Sequence, residues 1–275
     1  MYKRQPELPE VETVRRGVEA FAVGRRISSV RVLRPDVVRG DVSAMARTTL
    51  TGAQRHGKQL ALLTRRGPLA CVHLGMSGSL CVHQAGEPLA AHMHVVWKLA
   101  GGGELRFRDP RRFGGVFGFA DPDALHAARW SRLGPDATAI GVADLHHRLQ
   151  ATTRALKPAL LDQALVAGLG NIYVDELLYA ARLHPLTPAC TLGRNDVRRL
   201  VARMRPLLQA AIDAGGSSLR DHVDAEGAAG AFQDRHRVYG RGGLACRRCD
   251  ATLSVALVAQ RTTVWCEGCQ PVDRG

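Results

Sequence analysis

The chain has 275 residues, 45% of them hydrophobic and 23% charged, and 38 Lys and Arg against 25 Asp and Glu leave a formal net charge of +13. That hydrophobic content excludes a disordered chain, and the length allows two domains plus a small module. The charge excess points to a polyanionic partner, a property that ribosomal and membrane-surface proteins would share. No run of about 18 apolar residues exists to cross a membrane. The opening MYKRQPELPEVE turns acidic where a signal peptide needs an apolar stretch, so a cytoplasmic protein is expected.

In chain order, Val11, Val14, Val18 and Phe21 fall on one helical face behind Pro9, whose missing amide is harmless in a first turn. An N-terminal helix is predicted. Short strand-like runs follow at 27–32, 59–64, 69–74, 94–99, 104–108 and 116–119, separated by turns such as Gly101-Gly102-Gly103. They predict a β-sandwich or barrel. From Ala155 the period becomes helical, through Leu156, Leu160, Leu161 and Leu165, then Val174, Leu177, Leu178 and Ala181, then Val197, Leu200, Met204, Leu208 and Ala211. Gly215-Gly216 ends the last helix, and Pro206 inside it predicts a kink or a boundary. The fold class expected is α+β: an N-terminal helix with a β-sandwich over 6–120, a linker over 121–150, a helical domain over 151–236 and a ribbon over 237–271.

Two features carry chemistry. Cys246-x2-Cys249 and Cys266-x2-Cys269 supply four thiolates in two knuckles, which suits one closed tetrahedral structural zinc ion. The insert between them alternates apolar and polar residues as a hairpin does and carries Arg261 near its tip. Cys71, Cys81 and Cys190 read as free thiols of a reducing compartment. Gly168-Leu169-Gly170-Asn171-Ile172 is a tight turn into a helix, with Asn171 as its cap and Lys157 opening the preceding helix. Exposed amides there suit a phosphate, although an Asn cap after a glycine turn is also an ordinary helix start.

Five motifs occur in one order. They are Pro6-Glu7-Leu8-Pro9-Glu10-Val11-Glu12-Thr13, the stretch from His73 through Gly75-Met76-Ser77-Gly78 to Leu80, Asp109-Pro110-Arg111-Arg112-Phe113-Gly114, Gly168-Leu169-Gly170-Asn171-Ile172-Tyr173, and the four-cysteine ribbon with Gln260-Arg261. Together they resemble the formamidopyrimidine-DNA glycosylase family. The resemblance implies a helix-two-turn-helix in the helical domain, and a monomer acting on damaged double-stranded DNA in the bacterial cytoplasm, with duplex bound in a cleft between the domains. The implied activity is bifunctional: removal of oxidised purines, then cleavage of the abasic strand by β- and δ-elimination. Pro6 matches the family's nucleophile, Glu7 its acid-base group, Lys58 its elimination-assisting lysine and Arg261 its phosphate-binding ribbon arginine. Met76, Arg111 and Phe113 match the wedge that fills the space of an extruded base, while His92, Thr152, Lys157 and Asn171 match DNA-contacting positions.

Three departures bear on this. Five residues precede Pro6, where the family proline follows a removed initiator Met; with them attached, the Pro6 nitrogen is a tertiary amide without a nucleophilic lone pair. The family's lysine-rich stretch before the helix-two-turn-helix is Ala151-Thr152-Thr153-Arg154 here. In the lesion-recognition loop, Ser217 to His222 and Gly230 to Gln233 carry an Arg for a Lys and an Ala for an aromatic, which puts lesion preference rather than reaction type in question. Competing readings are a catalytically silent lesion binder, should residues 1–5 be retained, and a related oxidised-pyrimidine glycosylase. The full Met76, Arg111 and Phe113 set favours the purine enzyme. A zinc-ribbon transcription factor would not explain Pro6-Glu7.

Overall fold

The computed structural model describes residues 5–218 and 223–271. Its contacts divide them into two units: 5–132 with 212–218 and 223–231, and 133–211 with 232–271. None of the described helices is long and apolar enough to cross a membrane.

In the first unit, helix α1 (Leu8–Ala22) begins with Pro9 in its first turn, and Glu10 reaches back to the Glu7 amide in a capping box. Its apolar stripe of Leu8, Val11, Val14, Val18 and Ala22 is buried. Nine strands follow: β1 (Ile27–Val32), β2 (Val38–Arg39), β3 (Leu50–His56), β4 (Gln59–Thr64), β5 (Leu69–His73), β6 (Ser79–His83), β7 (Met93–Leu99), β8 (Glu104–Arg108) and β9 (Gly115–Phe119). They form a four-stranded sheet ordered β1-β7-β8-β6 and a five-stranded sheet ordered β2-β9-β5-β4-β3. All pairings are antiparallel except β2 with β9. One core joins α1 to both sheets through residues such as Val14, Leu60, Val72, Trp97 and Phe107. The α+β class and the sandwich are borne out. Strands β2, β3 and β6 were not predicted, because Arg39, Gly52, Gln54 and Ser79 dilute the alternation that marks a strand.

The expected linker over 121–150 is a correction. It contains α2 (Pro122–Ala128) and α3 (Val142–Gln150). Asp121 caps α2 by accepting from Ala124 N at 2.8 Å, with Pro122 at its first position.

The second unit holds α3, α4 (Leu156–Leu161), α5 (Asn171–Ala181) and α6 (Arg194–Asp213), whose last two residues fall in the first unit, and the ribbon strands β10 (Ser254–Val258) and β11 (Arg261–Trp265). Helix α6 runs through Pro206 without a boundary, because buried Val197, Leu200, Met204, Leu208 and Ala211 hold one face on both sides of the proline. The β10–β11 hairpin turns at Ala259 and Gln260, both with positive φ, as a two-residue hairpin turn requires.

Candidate functional site

The first unit contains seven of the expected site residues: Pro6, Glu7, Lys58, Met76, His92, Arg111 and Phe113. Pro6 is buried and Glu7 is 3% exposed. Glu10, 1% exposed, accepts from the Glu7 amide at 2.9 Å and from the Ser217 amide at 2.7 Å, which fixes the start of α1 against the segment after α6. Lys58 lies in the β3–β4 turn. Arg55 ties that turn to α1, donating to Glu12 at 3.1 Å and to the Gly57 carbonyl at 3.0 Å. Burial pushes the Glu12 carboxyl up, but Arg15, Arg16 and Arg55 together hold it below the usual carboxylate range.

His73 joins the two segments. The Gln5 amide contacts His73 Nε2 at 3.1 Å, and His73 Nδ1 lies 3.4 Å from the Lys58 carbonyl. A carbonyl only accepts, so Nδ1 carries the proton and Nε2 accepts from Gln5. Burial lowers the His73 pKa, which suits this neutral tautomer.

The wedge candidates sit on two loops that meet backbone to backbone. Met76 occupies the turn after β5 and is half-buried; Arg111 and Phe113 lie between β8 and β9 and are exposed. A Cβ at Gly75, whose φ is +64°, would fall 2.4 Å from Gly114 N and 2.5 Å from the Phe113 carbonyl carbon, so only glycine permits this approach. Asp109, 0% exposed, organises both loops: its carboxylate accepts from Ser77 Oγ at 2.5 Å, Gly114 N at 2.7 Å and Arg111 N at 3.3 Å. Its carbonyl meets His94 Nε2 at 2.8 Å and its amide donates to the His92 carbonyl at 3.1 Å.

What this arrangement presents is Phe113, 50% exposed, with the Arg111 guanidinium 4.9 Å from its ring centroid. Arg111 has no carboxylate partner among the described residues, whereas Arg112 donates to Asp36 at 2.8 Å. His92 is exposed at φ 67° and lines a cavity of about 400 Å³ with Arg34, Met93, His94, Pro110 and Arg112.

The second unit holds Thr152, Lys157, Asn171, Arg261 and the four cysteines. Gln163 braces the turn between α4 and α5, donating to the Leu161 and Leu169 carbonyls at 2.9 Å and accepting from Gly168 N at 3.0 Å. Helix α5 is capped by Gly170, not by Asn171. Asn171 instead donates from Nδ2 to the Thr262 carbonyl at 3.0 Å, next to exposed Arg261. Thr152 is half-buried and accepts at Oγ1 from Arg154 N and Nε, while Arg154 pairs with Asp162 at 2.9 Å.

Lys157 is a correction. It is 0% exposed, its ammonium 2.6 Å from Asp175 and 3.0 Å from the Thr262 carbonyl, which leaves no surface for a phosphate. Asp175 accepts in turn from Val264 N at 3.2 Å. Burial pushes the Asp175 carboxyl up to about 7 against the pull of that ammonium.

The four cysteine sulfurs lie within 4.8 Å of one another. Separations of 3.4 Å for Cys249–Cys266, 3.5 Å for Cys249–Cys269 and 3.9 Å for Cys246–Cys269 are far too long for disulfides. They suit the edges of a tetrahedron with metal–sulfur bonds of about 2.3 Å, whose sulfurs stand about 3.8 Å apart. The cluster fits one metal ion.

The sequence pattern of the formamidopyrimidine-DNA glycosylase N-terminal domain matches residues 5–116, and that of the same family's H2TH domain matches residues 133–223. The chain belongs to the formamidopyrimidine-DNA glycosylase family. Its relatives include the formamidopyrimidine-DNA glycosylase of Geobacillus kaustophilus, 41% identical over 96% of this chain and 99% of that one, and the Bacillus subtilis protein of the same name, 40% identical with the same coverage. Among solved structures, a Lactococcus lactis Fpg variant in complex with DNA containing Fapy-dG superposes with a TM-score of 0.89 at 35% identity. That match covers 97% of this chain and 100% of the other. The Thermus thermophilus MutM (Fpg) structure gives 0.86 at 38% identity, covering 97% and 99%.

Within this formamidopyrimidine-DNA glycosylase family member, sequence reasoning missed Asp109, His73, Glu10 and Asp175. Asp109 carried a signal, since an Asp opening a proline turn commonly bonds the backbone amides beyond it. The expected lesion-loop residues Leu219, Arg220, Asp221 and His222 lie outside the described residues.

Two outcomes follow from the second unit. Lys157→Met leaves Asp175 buried without its cation and costs about 3 to 5 kcal/mol in urea unfolding, while Lys157→Met with Asp175→Leu returns close to the parent. The single variant's loss shrinks in mildly acidic buffer, because its carboxyl titrates above the unfolded value of 3.8 and proton uptake then favours the folded state. Cys249→Ser abolishes stoichiometric metal in elemental analysis and loosens the ribbon, while the first unit's far-ultraviolet β signal persists because its core contains no ribbon residue.

Proposed function

We propose that this chain is a bifunctional glycosylase and abasic-site lyase that removes oxidised purines, 8-oxoguanine and formamidopyrimidines, from duplex DNA. The observation that carries the reading is the Arg111–Phe113 pair, a large aromatic and an unpaired guanidinium held at the surface by a buried carboxylate. A half-exposed ring is wasted on a core, yet fits the gap left by an extruded base, where the arginine meets the orphaned partner base. Support also comes from the full-length likeness to named glycosylases and from the damaged DNA in the Lactococcus lactis complexes.

In this reading the Pro6 nitrogen, as a free secondary amine, attacks the anomeric carbon of the damaged nucleotide. The glycosidic bond breaks and the base leaves with a proton, for which Glu7 is the acid-base group. A proton delivered to O4′ breaks the C1′–O4′ bond and opens the sugar to the iminium; loss of a C2′ proton then expels the 3′ phosphate, and loss of a C4′ proton from the resulting conjugated iminium expels the 5′ phosphate. Lys58 assists the first elimination; Arg261 holds phosphate and assists the second. His92, Thr152 and Asn171 contact the duplex backbone. One zinc ion on the four thiolates closes the ribbon that carries Arg261 and takes no part in the chemistry.

A second reading, a lesion binder that does not cut, is favoured by one observation. With residues 1–5 in place, Gln5 acylates the Pro6 nitrogen and its side chain is seated on His73. Borohydride decides between the two, because it reduces an iminium to a stable amine. A chain whose first residue is Pro6 is expected to be trapped on 8-oxoguanine duplex, and the chain carrying residues 1–5 is not. Equal trapping of both would move the nucleophile to a lysine, and no trapping of either would leave the binder.

The wedge is tested separately. Phe113→Ala removes stacking worth about 1 to 3 kcal/mol per base, so affinity for lesion duplex falls by that amount while affinity for undamaged duplex stays near the parent's. Arg261→Ala weakens both duplexes alike and lowers the slope of log affinity against log salt by about 0.9.

A further inference from the structure

A second concentration of positive charge lies in the second unit, around a cavity of about 440 Å³ lined by Arg235, Arg237, Arg247 and Arg248 together with Tyr179 and Glu176. All four arginines are exposed. Several arginines elsewhere are neutralised: Arg15 and Arg55 bind Glu12, Arg106 binds Glu104, Arg148 binds Asp144 and Arg199 binds Asp196. By contrast, Arg235, Arg237 and Arg247 have no carboxylate within ion-pair distance among the described residues. Arg248 lies over the Tyr179 ring at 4.2 Å, with Nη1 3.4 Å from the Tyr179 carbonyl.

The one acid of the cavity is already committed. Glu176, 3% exposed, accepts from the amides of Arg237, Val238 and Tyr239 at 2.8 to 2.9 Å. It therefore anchors the 237–239 turn through backbone amides, and its single charge, felt by Arg237 without an ion pair, is outnumbered by the guanidiniums around it. Three unpaired cations converging on one concavity repel one another, and the repulsion is relieved by an anion of matching density.

We propose that this cavity is a binding site for clustered phosphates, either a pyrophosphate-bearing small molecule or adjacent phosphodiesters of a nucleic acid. Guanidinium forks meet phosphate oxygens in bidentate pairs, and one phosphate offers three acceptor oxygens and more charge than a carboxylate. Two linked phosphates satisfy three forks within the observed volume. An acidic peptide would have to bring about one side chain per fork into a cavity the size of a small-molecule site. The site rests on residues that the proposed reaction does not use.

The test uses the full chain with no lesion present. Inorganic pyrophosphate titrated by calorimetry is expected to bind, and Arg235→Gln with Arg247→Gln is expected to weaken it by about tenfold or more. Arg247→Lys, which keeps the charge and removes the fork, should fall between. Metal content and melting temperature, unchanged from the parent, exclude loss of fold. A salt titration with undamaged duplex then separates the sources. A slope reduced by about 0.9 for each lost contact, with pyrophosphate competing against duplex, assigns the pocket to nucleic-acid backbone. An unchanged slope with pyrophosphate binding lost assigns it to free phosphate compounds. The proposal is overturned if pyrophosphate does not bind, if it binds the parent and the double variant alike, or if a glutamate-rich peptide binds more tightly than pyrophosphate.

Discussion

The buried pair of Lys157 and Asp175 ties helices α4 and α5 to the ribbon strand β11. Two opposite charges at 0% and 1% side-chain exposure are costly to desolvate, so they persist only where each is fully occupied. Lys157 spends its remaining capacity on the Thr262 carbonyl and Asp175 on the Val264 amide. Both targets belong to β11, and Asn171 adds a third bond to that strand, the second to the Thr262 carbonyl. The start of α5 is thereby tied to the ribbon hairpin, and the direction of Arg261 follows from its immediate neighbour Thr262 being held by two of these bonds. The four-cysteine cluster stands at one end of the hairpin; the ion pair fixes the other.

In the first unit the equivalent anchor is Asp109, but its method differs. It neutralises no cation. It gathers a hydroxyl and two backbone amides from two loops, while glycine at 75 and at 114 removes the side chains that would keep those loops apart. Backbone bonded to a buried carboxylate has little freedom, which is the condition for presenting an aromatic ring to a ligand without losing binding energy to loop ordering.

How much of this was readable beforehand divides by the kind of information involved. Periodicity marked α1, α5 and α6 and most of the sandwich, because burial on one face writes itself into the spacing of apolar residues. The cysteine spacing identified the four-thiol cluster, since ligand geometry constrains sequence directly. Lys157 was misread because lysine is the residue least often buried, and the partner that buries it stands eighteen positions away on another helix. Asn171 was misjudged by one position: the glycine before it takes the capping role, which frees the Asn amide for the hairpin. The helices inside 121–150 are short, and α2 announces itself only through Asp121-Pro122, a local signal that periodicity does not detect. Asp109 and His73 act through partners that only the folded chain brings near.

Neither unit is a continuous length of chain, and this bears on how the protein is made. The sandwich takes residues 212–218 and 223–231 into its own unit: Ala225 sits in its core at 0% exposure, the Ala225 carbonyl accepts from Val82 N at 2.8 Å, and the Ser217 amide donates to the Glu10 carboxylate. Synthesis delivers the first 132 residues early, yet the final side of that core must wait until the whole of α6 has left the ribosome. During that interval the nascent sandwich carries an open apolar flank, a period in which chaperone contact or aggregation competes with completion of the fold.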